Sequence, residues 1–96
     1  MSKQGEKVIF IIQKNKKKIA KFGVRKLALF GSFARGNANR SSDLDFIVEF
    51  EKKSFDAYMG LKFFLEKLFQ RSVDLVLTET IKPSLREVII KEAVYV

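Results

Sequence analysis

The sequence predicts a single small α/β domain of mixed, α+β character, with helices packed on a small mixed β-sheet. Three observations point there. Short apolar segments with strand character recur at residues 26–30, 44–50 and 73–77. Stretches with apolar residues at three- and four-residue spacing fall before, between and after them. No repeat, low-complexity linker or internal boundary interrupts the chain, and its 96 residues suit one domain near the lower end of the usual range. A core of that size has a thin margin, so a partner surface could complete it.

The elements follow in order. Residues 6–22 read as a first helix, because Val8, Ile12, Asn15, Ile19 and Phe22 form a stripe that only Asn15 interrupts. Lys14, Lys16, Lys17, Lys18 and Lys21 cover much of the remainder, and Gly23 is a natural stop. Lys26–Phe30 is short, apolar and bounded by glycine, the mark of a buried strand. Gly31-Ser32 is then a tight turn, and Phe33-Ala34-Arg35 opens a short helix ending at Gly36. Asn37–Ser42 is a loop by composition.

Leu44, Phe46, Val48 and Phe50 alternate with Asp43, Asp45, Ile47 and Glu49 as a second strand. Ser54 caps a helix running to about Gln70, with Phe55, Tyr58, Met59, Leu61, Leu65, Leu68 and Phe69 inward. Val73–Leu77 is a third strand. Ser84-x-x-Glu87 has the form of a capping box for a last helix, with Leu85, Val88 and Ile89 inward, and Ala93–Val96 adds an extended end. Periodicity does not fix the strand order.

Composition excludes several chemistries. With neither cysteine nor histidine, the chain has no disulfide, no usual zinc site, no cysteine nucleophile and no histidine acid–base mechanism. A metal here must be held by oxygen, which favours Mg²⁺ or Mn²⁺. No apolar run is long enough to span a bilayer, and Val8–Ile12 is too short for a signal-peptide core, so the expected location is the cytoplasm. The apolar share of 47% and charged share of 31% are those of a soluble globular protein. Abundant Lys, Ile and Glu hint at a thermophile.

The net charge of +8 is unevenly placed. Residues 1–40 carry eleven Lys or Arg against the single acid Glu6, whereas residues 41–96 carry eight bases and ten acids. A basic half suits a polyphosphate, RNA or an acidic protein, and equally a solvated lysine-rich helix face.

The candidate chemistry lies on carboxylates. Asp43 and Asp45, two apart on a strand, leave the same face and repel each other unless a divalent cation sits between them. Alone they could be exposed strand-end acids. Asp74, between Val73 and Leu75, shares a face with Val76, so neighbouring second and third strands would set it beside Asp45. Its plainer alternative is a sheet-edge acid paired with a lysine. Gly31-Ser32 lies where a strand gives way to a helix, a junction whose N–H groups suit phosphate and where the missing side chain allows close approach. Ser32 can add a hydroxyl. Arg35 is a phosphate contact or a structural ion-pairing residue.

Gly31-Ser32-Phe33-Ala34-Arg35-Gly36, a loop, Ser42-Asp43-Leu44-Asp45 and then Asp74 closely resemble the DNA polymerase β-like nucleotidyltransferase superfamily. The length also resembles its smallest branch, the minimal nucleotidyltransferases of prokaryotic toxin–antitoxin pairs. The resemblance covers about residues 7–96, with its specific part in residues 30–48 and Asp74, and the motif shows no departure. It implies a polymerase β-like fold in which Gly31 and Ser32 bind the triphosphate, with Arg35 and Ser42 as further nucleotide contacts. It implies that Asp43 and Asp45 ligate Mg²⁺, that Asp74 ligates a second ion beside the attacking hydroxyl, and that pyrophosphate leaves.

The resemblance also implies an acceptor. The minimal branch is typically encoded beside a HEPN-type protein, often an RNase toxin, and resembles an antitoxin that transfers AMP from ATP to a tyrosine of it. Phe55, Phe63, Phe64 and Phe69 cannot all easily face one core, so exposed ones would mark an interface, unless a wide apolar stripe simply uses bulky residues. Two other readings stay open: a non-catalytic module that neutralises a toxin by contact and senses nucleotide, and an RNA-directed transferase or RNA binder using Lys14–Lys18 and Arg40. Self-association is also left open.

Overall fold

The computed structural model describes residues 2–92, 94 and 95, with side-chain surroundings through Glu87. The expected inward Val88 and Ile89 side chains, and Ala93 and Val96 of the extended end, lie outside the described residues. Two helices, α1 (Lys3–Lys14) and α2 (Lys16–Ala20), precede strand β1 (Val24–Phe30) and the short helix α3 (Gly31–Arg35). Strand β2 (Leu44–Phe50), helix α4 (Phe55–Phe69), strand β3 (Val73–Leu77), helix α5 (Pro83–Glu92) and strand β4 (Val94–Tyr95) follow. A 3₁₀ turn, Thr78–Thr80, joins β3 to the last helix.

The sheet order is β3-β2-β1-β4. β1 runs antiparallel to both β2 and β4, while β2 and β3 are parallel and joined by the α4 crossover, so the sheet is mixed as expected. Side-chain alternation divides it into two faces. Leu27, Leu29, Leu44, Phe46, Val48, Phe50, Val73 and Leu75 form the main core with Val8, Ile9, Ile12 and Ile19 of the first two helices and Leu61 and Leu65 of α4. Among the described residues, the opposite face carries a smaller cluster, Ala28, Ile47 and Ile81, with Phe30 and Val76 against it. Asp45 and Asp74 have the parity of this second face.

The expected first helix is two. It begins at Lys3, earlier than its apolar stripe, because the Ser2 hydroxyl accepts from the Gly5 N–H at 3.0 Å. It breaks at Asn15, whose amide nitrogen donates to the Ile11 carbonyl at 2.9 Å while its backbone leaves helical geometry at φ −108°. Ser54 caps α4 as expected, accepting from the Ala57 N–H at 3.0 Å. That helix buries Leu61 and Leu65, half-buries Tyr58, Met59, Leu68 and Phe69, and leaves Phe55 77% exposed at its first turn, against expectation. Phe63 is also exposed, whereas Phe64 packs on Phe22.

The last helix starts one residue before Ser84. Pro83 takes its first position, where a missing N–H costs nothing, and the Lys82 carbonyl accepts from Leu85 and Arg86. Ser84 is therefore inside the helix and cannot act as its cap, and Leu85 is 51% exposed rather than inward. Among the described residues, no helix is long and apolar enough to cross a membrane.

Candidate active site

The site is built where β1 ends and β2 and β3 begin. In the β1–β2 register Phe30 lies opposite Asp45, and in the β2–β3 register Asp45 lies opposite Asp74. The strand-neighbour condition expected from sequence parity is therefore met. Asp43 precedes β2 by one residue and is exposed, Asp45 is half-buried, and Asp74 is exposed on its strand.

Gly31 begins α3 directly beside this row. Its φ of 76° is one that a side chain rarely tolerates, and a Cβ there would overlap the Asp45 carboxylate, coming 3.0 Å from Cγ. The missing side chain thus lets the Asp45 carboxylate lie against the backbone of the turn. The residue that precedes α3, Phe30, makes no side-chain cap to its N-terminus. Ser32, half-buried in its first turn, closes the far end through its carbonyl, which accepts from Gly36 at 2.9 Å and Asn37 at 3.0 Å. Gly36, at φ 86°, ends the helix where the sequence indicated.

Electrostatics bind the acids into one unit. Partial burial holds the Asp45 carboxyl above its usual range; the charges of Asp74 and Asp43 push it further up, and Arg35 pulls it down. Arg35, at the end of α3, is thereby the positive group set against the cluster. The site gathers Gly31, Arg35, Asp43, Asp45 and Asp74 around the ends of three strands.

Ser42, half-buried beside Asp43, also has a part in the loop. Its hydroxyl accepts from the Asn39 N–H at 2.8 Å and donates to the Asn39 side-chain oxygen at 3.3 Å, so it shapes the loop that leads to Asp43. Among the described residues, no group of three or more acidic side chains is placed to hold a metal ion alone. The available donors are nevertheless the carboxylate oxygens that hard divalent cations prefer. Ions held by Asp43, Asp45 and Asp74 would need further oxygens, which a triphosphate and water can supply.

Several contacts had no signal in the sequence. Arg71 donates to the loop carbonyls of Asn39, Arg40 and Ser42, and the Gln4 amide exchanges two hydrogen bonds with Ala38 at 2.9 and 3.0 Å. The partners are about thirty residues apart in sequence, so no local pattern links them.

Residues 9–96 match the family described as nucleotidyltransferase domain. The chain belongs to this family. Among relatives of this nucleotidyltransferase, protein adenylyltransferase MntA of Thermococcus cleftensis is 37% identical over 93 residues, covering 95% of this chain and 94% of that protein. A solved structure described as a candidate minimal nucleotidyltransferase is 34% identical, with a TM-score of 0.81 over 98% of this chain and 95% of the other. That likeness bears out the fold class. A chain from the complex of tri-AMPylated Shewanella oneidensis HEPN toxin with an MNT antitoxin has a TM-score of 0.57 at 22% identity, covering 86% of this chain and 69% of that one. This more distant likeness is one of fold.

Proposed function

We propose that this nucleotidyltransferase moves AMP from ATP to a hydroxyl, a tyrosine of a HEPN-type protein, and so acts as that protein's antitoxin. The carrying observation is the lateral pairing of Asp45 with Asp74 across parallel strands, beside a turn whose glycine backbone touches the Asp45 carboxylate. The names of the relatives, a protein adenylyltransferase and a complex with an AMPylated HEPN toxin, support the choice of nucleotide and acceptor.

In this reading the triphosphate lies against the Gly31-Ser32 turn, with the Ser32 hydroxyl donating to it and Arg35 offsetting its charge. Asp43 and Asp45 would hold Mg²⁺ with the triphosphate, and Asp74 would hold a second ion near the acceptor; Mn²⁺ has the same preference for oxygen. Bound there, such ions polarise the phosphate and lower the pKa of the attacking hydroxyl. The acceptor oxygen forms a bond to the α-phosphorus, the bond to the bridging oxygen breaks, and pyrophosphate leaves. Asp74 takes the hydroxyl proton. Ser42 supports the site by shaping the loop before Asp43.

The test is transfer of label from α-labelled ATP to a HEPN-type toxin protein, with Mg²⁺ present. Label on a tyrosine, absent with γ-labelled ATP and with chelator, is expected. A second reading draws on the exposed Phe55 and Phe63 of α4. There the protein neutralises its partner by contact and the site only senses nucleotide. An inhibited partner that carries no label would favour that reading and sink the enzymatic one. Transfer to RNA instead would redirect the acceptor and leave the chemistry standing.

A further inference from the structure

The geometry points to Arg71 as a positioning residue that fixes Asp43 by gripping the backbone on its N-terminal side, an inference that rests on the nucleotidyl-transfer reading of the site. One guanidinium nitrogen of Arg71 donates to the carbonyls of Asn39 at 3.2 Å, Arg40 at 3.1 Å and Ser42 at 2.6 Å. The same guanidinium lies 5.0 Å from the centre of the Phe33 ring, so it ties the loop to α3, the helix that Gly31 opens. The Ser42 carbonyl belongs to the peptide group that precedes Asp43. The peptide group that follows is held too, because the Leu44 N–H donates to the Ser72 carbonyl at 3.0 Å. Asp43 is therefore suspended between two anchored peptides, and both anchors come from adjacent residues, Arg71 and Ser72.

Those anchors are themselves fixed. Helix α4 ends at Gln70 with φ 53°, and the Arg71 N–H closes on the Glu66 carbonyl at 3.3 Å. Glu66 also accepts from the Val73 N–H at 3.1 Å, at the start of the strand that carries Asp74. The short span from Glu66 to Asp74 thus places Arg71 against the loop of Asp43 and Asp74 against Asp45 together. At the other end of the loop Gln4 holds Ala38. Asp43 itself is exposed, so its local backbone is held while its carboxylate stays accessible.

An arginine suits this task better than a lysine. Its planar group stacks on a ring while donating in fixed directions, whereas an ammonium offers a point charge on a flexible stem. Most of the gripped loop is exposed, so water can replace the lost donors and a substitution at Arg71 should loosen the loop without unfolding the domain.

The test compares the full chain with its Arg71→Met and Arg71→Lys forms by amide hydrogen exchange and by binding of a fluorescent ATP analogue across a Mg²⁺ series. In Arg71→Met the amides of residues 39–44 should exchange about tenfold faster while those of α4 around Leu61–Leu65 are unchanged. Mg²⁺-dependent affinity for the analogue should fall by about tenfold or more, the range for losing a group that orients a metal ligand. Arg71→Lys should recover part of both. Unchanged loop exchange, unchanged affinity in a loosened loop, or faster exchange throughout the domain would each overturn the inference. If the unsubstituted chain binds no Mg²⁺-nucleotide, the nucleotidyl-transfer reading fails, and loop exchange alone decides whether Arg71 holds Asp43.

Discussion

Gly31 meets two demands at once, a left-handed backbone and contact with a carboxylate, and no other residue type meets both. Gly31→Ala should cost about 1–3 kcal/mol from backbone strain, read as a lower midpoint in urea, and should displace Asp45 enough to abolish nucleotide binding. Asp45 behaves oppositely. Its carboxyl is held above the usual aspartate range, chiefly by burial and then by Asp74 and Asp43, so the folded chain binds this proton more tightly than the unfolded one does. In metal-free buffer its contribution to stability therefore falls as pH rises from the unfolded toward the raised folded value. Asp45→Asn should remove that slope, leave the neutral-pH melting temperature unchanged or higher, and abolish transfer. A melting series of both proteins from about pH 4 upward checks the sign; a steeper decline in the variant would contradict it. The faces of these acids were legible because strand parity assigns them without knowledge of strand order, whereas the adjacency of Asp45 and Asp74 waited on the pairing of β2 with β3. Arg71 was not legible, since its meaning lies in carbonyls far along the chain.

Helix α4 shows what local sequence can and cannot specify. Its start was readable from Ser54, and Ser54→Ala should cost about 1 kcal/mol, measured as a loss in chemical-denaturation free energy without change in nucleotide affinity. Its inward face was only partly readable. Phe55 lies in the first turn and stays 77% exposed, at the edge of a hollow that Tyr58 and Leu77 also line, which its helical spacing does not reveal. Tyr58, by contrast, sends its hydroxyl to the Leu75 carbonyl at 2.5 Å, so the helix also steadies the strand beside Asp74. The break at Asn15 was legible as an interruption of the apolar stripe. Its conversion into a helix end depends on a side-chain bond that periodicity does not encode. The Ser84 signature misled because Pro83, one place earlier, is itself favoured at a helix's first position.

Across the whole molecule, the lysines of α2 and the acids of the site lie toward opposite ends of β1. Lys16 and Ile19 of α2 line a small hollow with Val24, Arg25 and Leu27 at the start of β1, whereas Asp45 lies opposite its last residue and Asp74 beside Asp45. The strand's 7 residues span about 20 Å at about 3.3 Å each, well beyond a screening length of about 8 Å at physiological salt. Replacing Lys16, Lys17 and Lys18 together by glutamine should leave Mg²⁺-nucleotide affinity within about twofold at that ionic strength, while retention on a polyanion column drops. A large affinity loss would place these lysines at the nucleotide. The mixed-sheet fold class was legible in the sequence, whereas the order β3-β2-β1-β4 was not, because strand pairing is settled by long-range contacts. The parallel pairing of β2 with β3 also carries a temporal consequence. Gly31, Asp43 and Asp45 leave the ribosome well before Asp74, and the strand bearing Asp74 cannot pair until the intervening helix has formed its crossover. Such non-local pairing is slow to nucleate. On the proposed role of Asp74, the site is therefore incomplete until β3 has paired with β2, and competence arrives with that step.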